Sequence, residues 1–141
     1  MKRTRMILFH FNTILKLHNK KPIKKWLNDV CIEEGWKIGD LNYVFCDDDY
    51  LIEINKTYLN HNTLTDTISF DYSNKYLISG DIMISIPRVV ENAKKYNVEF
   101  KHELYRVMVH GLLHLLKYND KNKAEKELMQ EKEDYYINKI I

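Results

Sequence analysis

His110, Gly111, Leu112, Leu113 and His114 form a His-x-x-x-His segment, and Asp120 follows six residues after the second histidine. Residues four apart on an α-helix lie on one face, so both imidazoles can meet a single ion. A turn beyond the helix can swing Asp120 back as a third ligand. Two histidines and a carboxylate leave a fourth position open for water, the donor set of a catalytic rather than a structural zinc site. Two histidines at this spacing also arise by chance, so their surroundings carry the argument. The helix is otherwise apolar, with Leu104, Val107, Met108, Val109, Leu112, Leu113, Leu115 and Leu116. Histidines set in such a helix need partners, because buried polar groups without them are costly, and a shared ion satisfies both. Gly111 also calls for a reason, since glycine inside a helix costs about 1 kcal/mol relative to alanine. The close approach of substrate or of another backbone is the expected one.

The same segment argues against a peptidase. In H-E-x-x-H metalloproteases the residue after the first histidine is the general-base glutamate. Here it is Gly111. Two histidines and a carboxylate also suit iron, so the donor set alone leaves the metal open, with zinc the first expectation.

These residues must be delivered by a fold, and the patterning outlines one. Ile7 to Asn12 alternates as a strand. Pro22 fits a helix start, and Ile23, Trp26, Leu27 and Val30 recur at helical spacing until Gly35 ends the run. Leu41 to Cys46 is a strand, and Asp47 to Asp49 can cap a helix running to about Leu59. Thr65 to Tyr72 and Asp81 to Ser85 are two more strands, joined through Ser73, Asn74 and Lys75. Pro87 opens a third helix, to about Tyr96. Asn97 is a cap for the fourth, which bears the histidines, and a charged amphipathic helix from Lys123 to Asn138 follows. The order β-α-β-α-β-β-α-α-α predicts an α+β domain: one mixed four-stranded sheet, about five helices, and the apolar metal-site helix at the centre.

Composition bounds the alternatives. The 141 residues suit a single domain with a real core, and 45% hydrophobic with 30% charged residues is ordinary for a globular protein. No apolar run approaches the roughly 20 residues that span a bilayer. The opening MKRTRMILFHFN lacks the long apolar region of a signal peptide, so a cytoplasmic protein is expected. Cys31 and Cys46 form no C-x-x-C pair and read as buried free thiols. A net charge of +2 does not announce a nucleic-acid binder. The first lysine cluster, from Lys20 to Lys25, reads as solvated surface. The second, Lys117, Lys121, Lys123 and Lys126, flanks the histidine site, where positive charge can hold a phosphate backbone.

Read together, the motifs resemble the YbeY family of bacterial endoribonucleases. That family carries H-G-x-L-H-L-x-G-Y-D-H near its C-terminus, and this chain has HGLLHLLKYND at 110–120. The family's L-N-x-x-Y-R, T-D-V-L-S-F and G-D-I are answered by INKTYL at 54–59, TDTISF at 65–70 and GDIMIS at 80–85. Order and gaps agree from about Asp47 onward, over some 75 residues; the first forty match in element order only. There are departures. Asp120 stands where the family has its third histidine ligand, Leu59 follows Tyr58 where the family has arginine, Lys117 replaces a glycine, and Asn119 replaces an aspartate.

The resemblance implies a metal-dependent hydrolase domain over residues 1–141, cutting single-stranded RNA in the maturation of small-subunit ribosomal RNA 3′ ends and in ribosome quality control. Its partners would be that RNA and the ribosome or its assembly factors, with no membrane. One Zn2+ per chain would sit on His110, His114 and Asp120. Asp66, in the T-D motif, is the catalytic candidate, and Asp66 or Asp81 would support a ligating histidine or orient water; the ordinary alternative for each is strand-end or turn capping. Thr65, Ser69, Arg106 and Lys117 are candidate substrate contacts. Arg106 lies one turn before His110 and, with Arg88, is a replacement for the family arginine, although a salt bridge to Glu103 is its more ordinary explanation. His10, His18, His61 and His102 have no partner at ligand spacing and read as surface or structural residues. Two other functions are weighed: a non-catalytic ribosome-assembly RNA-binding factor with a structural metal, and a metal-dependent hydrolase of another substrate.

Overall fold

The computed structural model describes residues 6–59, 65–75 and 77–141, so His61 lies outside the described residues. The elements run β1 (Ile7–Phe11), α1 (Lys20–Glu33), β2 (Lys37–Cys46), α2 (Asp48–Leu59), β3 (Thr67–Asp71), β4 (Leu77–Ser85), α3 (Ile86–Lys95), α4 (Phe100–Leu115) and α5 (Lys123–Ile137). The strands form one sheet in the order β1-β2-β4-β3. β1, β2 and β4 are parallel, and β3 returns antiparallel to β4. The α+β architecture expected from the patterning is the one observed, with α4 central.

Strand alternation divides the sheet into two faces. Leu41, Tyr43 and Phe45 of β2, with Ile78, Ile82 and Ile84 of β4, join α1, α4 and α5 in the main core. The opposite face is smaller: Cys46, Ile68 and Met83 pack with Leu51 of α2. Both cysteines are buried and free.

α4 is pressed onto the sheet at two glycines. A Cβ on Gly111 would stand 2.7 Å from Ile82 Cγ2, and one on Gly80 would stand 2.5 Å from the Phe70 carbonyl oxygen and 3.0 Å from Leu115 Cδ1. The reason for Gly111 is therefore a core side chain of β4, not substrate or backbone. This seating buries Leu104, Val107, Met108, Leu112 and Leu113 and fixes the height of His110 and His114 above the sheet. Leu112 is fully buried, so Leu112→Ala would cost about 2–5 kcal/mol.

Three expectations are corrected. Asn97 does not cap α4, whose N-cap is Glu99. Asn97 has φ 55° and ends α3, where Val98 N–H donates to Ala93 O and Asn97 N–H to Lys94 O; asparagine tolerates that left-handed position. β2 begins at Lys37 and β4 at Leu77, both earlier than expected. A register shift between Ile38 and Leu41 lets pairing continue past Gly39 and Gly80.

Candidate metal centre

The turn after α4 brings Asp120, the candidate third ligand, back toward the histidines. Lys117 N–H donates to His114 O and Tyr118 N–H to Leu113 O, a Schellman closure with Lys117 at φ 79°. That is the position where the motif has glycine, the residue the left-handed conformation favours. From there the chain reverses, and Asp120 comes over the end of the helix. His110 Nε2 lies 3.0 Å from His114 Nε2, and Asp120 Oδ2 lies 3.6 and 3.4 Å from these two nitrogens. Ligands about 2.1 Å from a tetrahedral ion stand roughly 3.4 Å apart, so the three atoms match the face of such a site. The side chains are 20%, 29% and 41% exposed, which leaves the fourth side open.

Each histidine is aimed by its other nitrogen. His110 Nδ1 lies 2.5 Å from Glu133 Oε2 of α5, and His114 Nδ1 lies 3.0 Å from the Tyr118 carbonyl oxygen. Both partners accept only, so each Nδ1 carries a hydrogen. The two Nε2 atoms then face one another across 3.0 Å, and a cation or a proton must lie between them. Burial opposes the charged form of His110, but the Glu133 carboxylate outweighs it and raises the ring's pKa. Burial and the neighbouring His110 lower that of His114. The pair is arranged to hold one positive charge, and a metal ion fits this donor chemistry.

Behind the ligands stand two supports. Arg106 Nη2 lies 2.5 Å from Glu103 Oε2 and its Nη1 lies 3.2 Å from Glu133 Oε1, so the guanidinium joins two buried carboxylates. The second support is Glu34, beyond the end of α1. It accepts from Tyr118 Oη at 2.5 Å, from Lys132 Nζ at 3.1 Å and from Tyr136 Oη. Burial raises the Glu34 pKa, but these hydrogen bonds win and hold the carboxylate below its usual range. Glu34 thus pins the turn that carries the Tyr118 carbonyl and Asp120.

The centre opens into a cleft of about 590 Å³ whose walls include Asn55, Thr65, Asp66, Ser69 and Asp71. Asp66 faces this space, close enough to His110 to raise its pKa, and accepts a 3.4 Å bond from Asn92. Thr65 and Ser69 line it with hydroxyls. Lys117 Nζ lies 2.7 Å from Asp71 Oδ2 across the rim. Arg106 shares the helix face of His110 but lies toward α5, outside this cleft, engaged by its two carboxylates. Arg88 does not line the cleft and is paired with Asp48 and Glu91. Asp81 projects from the opposite sheet face, between Gly80 and Ile82, and accepts from Asn42. Strand alternation therefore removes it as a support for the histidines. His10 bonds Asn42 on that same face.

Glu133, Asn55, Glu34 and the Tyr118 carbonyl are not singled out by their residue types. Glu133 shares a buried stripe with Met129, Tyr136 and Ile137, spaced i, i+4, i+7 and i+8, and that spacing was the available signal. Asn55 stands in INKTYL, inside a motif already matched.

A mixed sheet under a central helix, with a helix-borne histidine pair and a carboxylate returned by the following turn, defines a class of small α+β domains with an open three-ligand centre. Within it the chain belongs to the YbeY family: the model of that family, described as Endoribonuclease YbeY, matches residues 10–141. Among relatives described as Endoribonuclease YbeY, one from Flavobacterium johnsoniae is 51% identical over 132 residues, 94% of this chain and 95% of its own length. Another, from Karelsulcia muelleri, is 45% identical over 94% of each chain. A solution structure of a Thermotoga maritima protein superposes with a TM-score of 0.66 at 26% identity, covering 96% of this chain and 89% of that one. No helix among the described residues is long and apolar enough to cross a membrane.

Proposed function

We propose that this protein is a metal-dependent endoribonuclease that cuts single-stranded RNA in the maturation of small-subunit ribosomal RNA 3′ ends and in ribosome quality control. It would work in the cytoplasm, with the ribosome or its assembly factors as partners and one Zn2+ per chain, as a single metal-dependent hydrolase domain over residues 1–141. The observation that carries this reading is the set of donor separations at His110, His114 and Asp120, close to those of a tetrahedral site and open to a polar cleft, in a member of a family described as endoribonucleases.

A divalent ion, when bound, supplies charge to a phosphoryl oxygen and lowers the pKa of a water it holds. The residues do the rest. His110 and His114 present Nε2 because Glu133 and the Tyr118 carbonyl fix their Nδ1 hydrogens. Asp120 Oδ2 closes the ligand set, and its carboxylate keeps the centre less positive than three histidines would. Asp66, on the cleft wall, takes the proton of the attacking water on a carboxylate oxygen. Thr65 and Ser69 donate hydroxyl hydrogens to the phosphodiester, and Lys117 meets the RNA backbone at the rim in exchange with Asp71. Arg106 acts by holding Glu133, its guanidinium already satisfied. The test is incubation of the zinc-loaded protein with unstructured RNA and with casein, each with and without chelator. RNA cleavage that chelation abolishes is expected; chelator-sensitive proteolysis with intact RNA would reverse the assignment.

A further inference from the structure

His110 and Asp120 are walls of two cavities, not one. Beyond them from the cleft described above lies a second space of about 530 Å³, bounded by the α3–α4 turn, α4 and α5. This is within the size range of small-ligand sites. Its lining is unlike the first. The charges at its floor are largely internally paired, because Arg106 is shared between Glu103 and Glu133, one carboxylate in excess. Its mouth carries Tyr96, 55% exposed, with Lys95 Nζ over one ring face at 5.5 Å. Gln130 and Asp134 of α5 also reach it as exposed side chains. His102, on the same wall, has a buried Nδ1 with no hydrogen-bond partner among the described residues.

We propose that this second cavity is a nucleobase subsite that takes an unstacked base flanking the scissile phosphate, a step that rests on the endoribonuclease reading. A phosphate is the wrong occupant: Glu103, Glu133, Asp134 and Asp120 face it with only Arg106 and Lys126 in balance. A neutral base suits it. Single-stranded RNA is read by splaying bases onto aromatic rings and bonding their edges, and Tyr96 supplies the ring. Gln130 and Asp134 supply acceptors at the edge. Adenine, cytosine and guanine carry a two-hydrogen exocyclic amine that can donate to both acceptors, whereas uracil offers only its single N3–H. The subsite therefore favours amine-bearing bases next to the cut.

The zinc-loaded, full-length protein is incubated with single-stranded RNA of random sequence, and the bases around each cut are counted. In parallel, equilibrium binding of rA6, rC6 and rU6 is measured by fluorescence anisotropy in chelator. We expect one flanking position depleted of uracil, and rA6 and rC6 binding more tightly than rU6. Tyr96→Ala weakens binding about 10-fold, the size of one lost base stack. Gln130→Ala combined with Asp134→Ala erases the base preference. Both changes are at exposed positions, so folding is retained, and circular dichroism checks it. Equal binding of rC6 and rU6 by wild type, or a preference that survives all three changes, overturns the subsite. A protein that cuts no RNA yet binds rC6 over rU6 through Tyr96 loses the nuclease reading and keeps the subsite.

Discussion

His110 and His114 reach the same point from one helix, but they lean on different parts of the molecule. His110 rests on Glu133, a buried carboxylate delivered by α5 and held by Arg106. His114 rests on a backbone carbonyl only four residues along, in the turn that Glu34 pins through Tyr118. One support is charged and long-range; the other is neutral and local. The charged support raises the basicity of its histidine and makes it the stronger donor to a metal. The local support cannot be lost without rebuilding the helix end. On the proposed reading, the α5 side is where metal affinity would be tuned, and the turn is where geometry is set.

Breaking the set outright gives the largest effect. Asp120→Ala leaves two protein ligands, too few for a stable site, and zinc affinity measured by competition with a chelator should fall at least about 100-fold. Asp120→His keeps the ion and the fold. Because the carboxylate no longer offsets the ion's charge, the bound water becomes more acidic, and the pH–rate profile for RNA cleavage should move to lower pH. Coincident profiles under saturating zinc would remove Asp120 from the ligand set.

A subtler change sharpens the contrast between the two supports. Glu133→Gln should lower zinc affinity about 10–100-fold, while Tyr118→Phe, which keeps the carbonyl and loses only the bond to Glu34, should cost a few-fold at most. The sign of the pH effect follows from His110. Its pKa is raised by Glu133, so its proton competes with the metal as pH falls through that raised value. In Glu133→Gln the competition should begin at lower pH, although affinity at high pH is weaker. Equal losses for Glu133→Gln and Tyr118→Phe would contradict the division of labour.

The smallest expected effect is at Lys117. A non-glycine residue at φ 79° carries about 1 kcal/mol of strain, and the half-exposed pair with Asp71 returns less than that. Lys117→Gly should raise the unfolding midpoint slightly without changing zinc affinity, as read by thermal denaturation and metal titration.

How much of this was legible follows from periodicity. The helix bearing His110 and His114, the return of Asp120 and the β-α-β-α-β-β-α-α-α order all lie in local pattern. The supports do not. Glu133 is one carboxylate among many on a charged helix, and only its place in the Met129–Tyr136–Ile137 stripe marks it as buried. Glu34 is separated from Tyr118 by 84 residues, so nothing local connects them. Asp81 shows the converse. Its T-D and G-D company suggested the site, yet period-2 alternation between Gly80 and Ile82 sends it to the far face. The strand ends hid behind Gly39 and Gly80, because pairing past a bulge depends on the neighbouring strand.

The central claim is that His110, His114 and Asp120 hold one divalent ion. Metal content of the purified, zinc-equilibrated protein, measured by mass spectrometry for wild type and His114→Ala, tests it most directly. About one equivalent is expected in wild type and close to none in the variant. Equal metal content in the two proteins would contradict it.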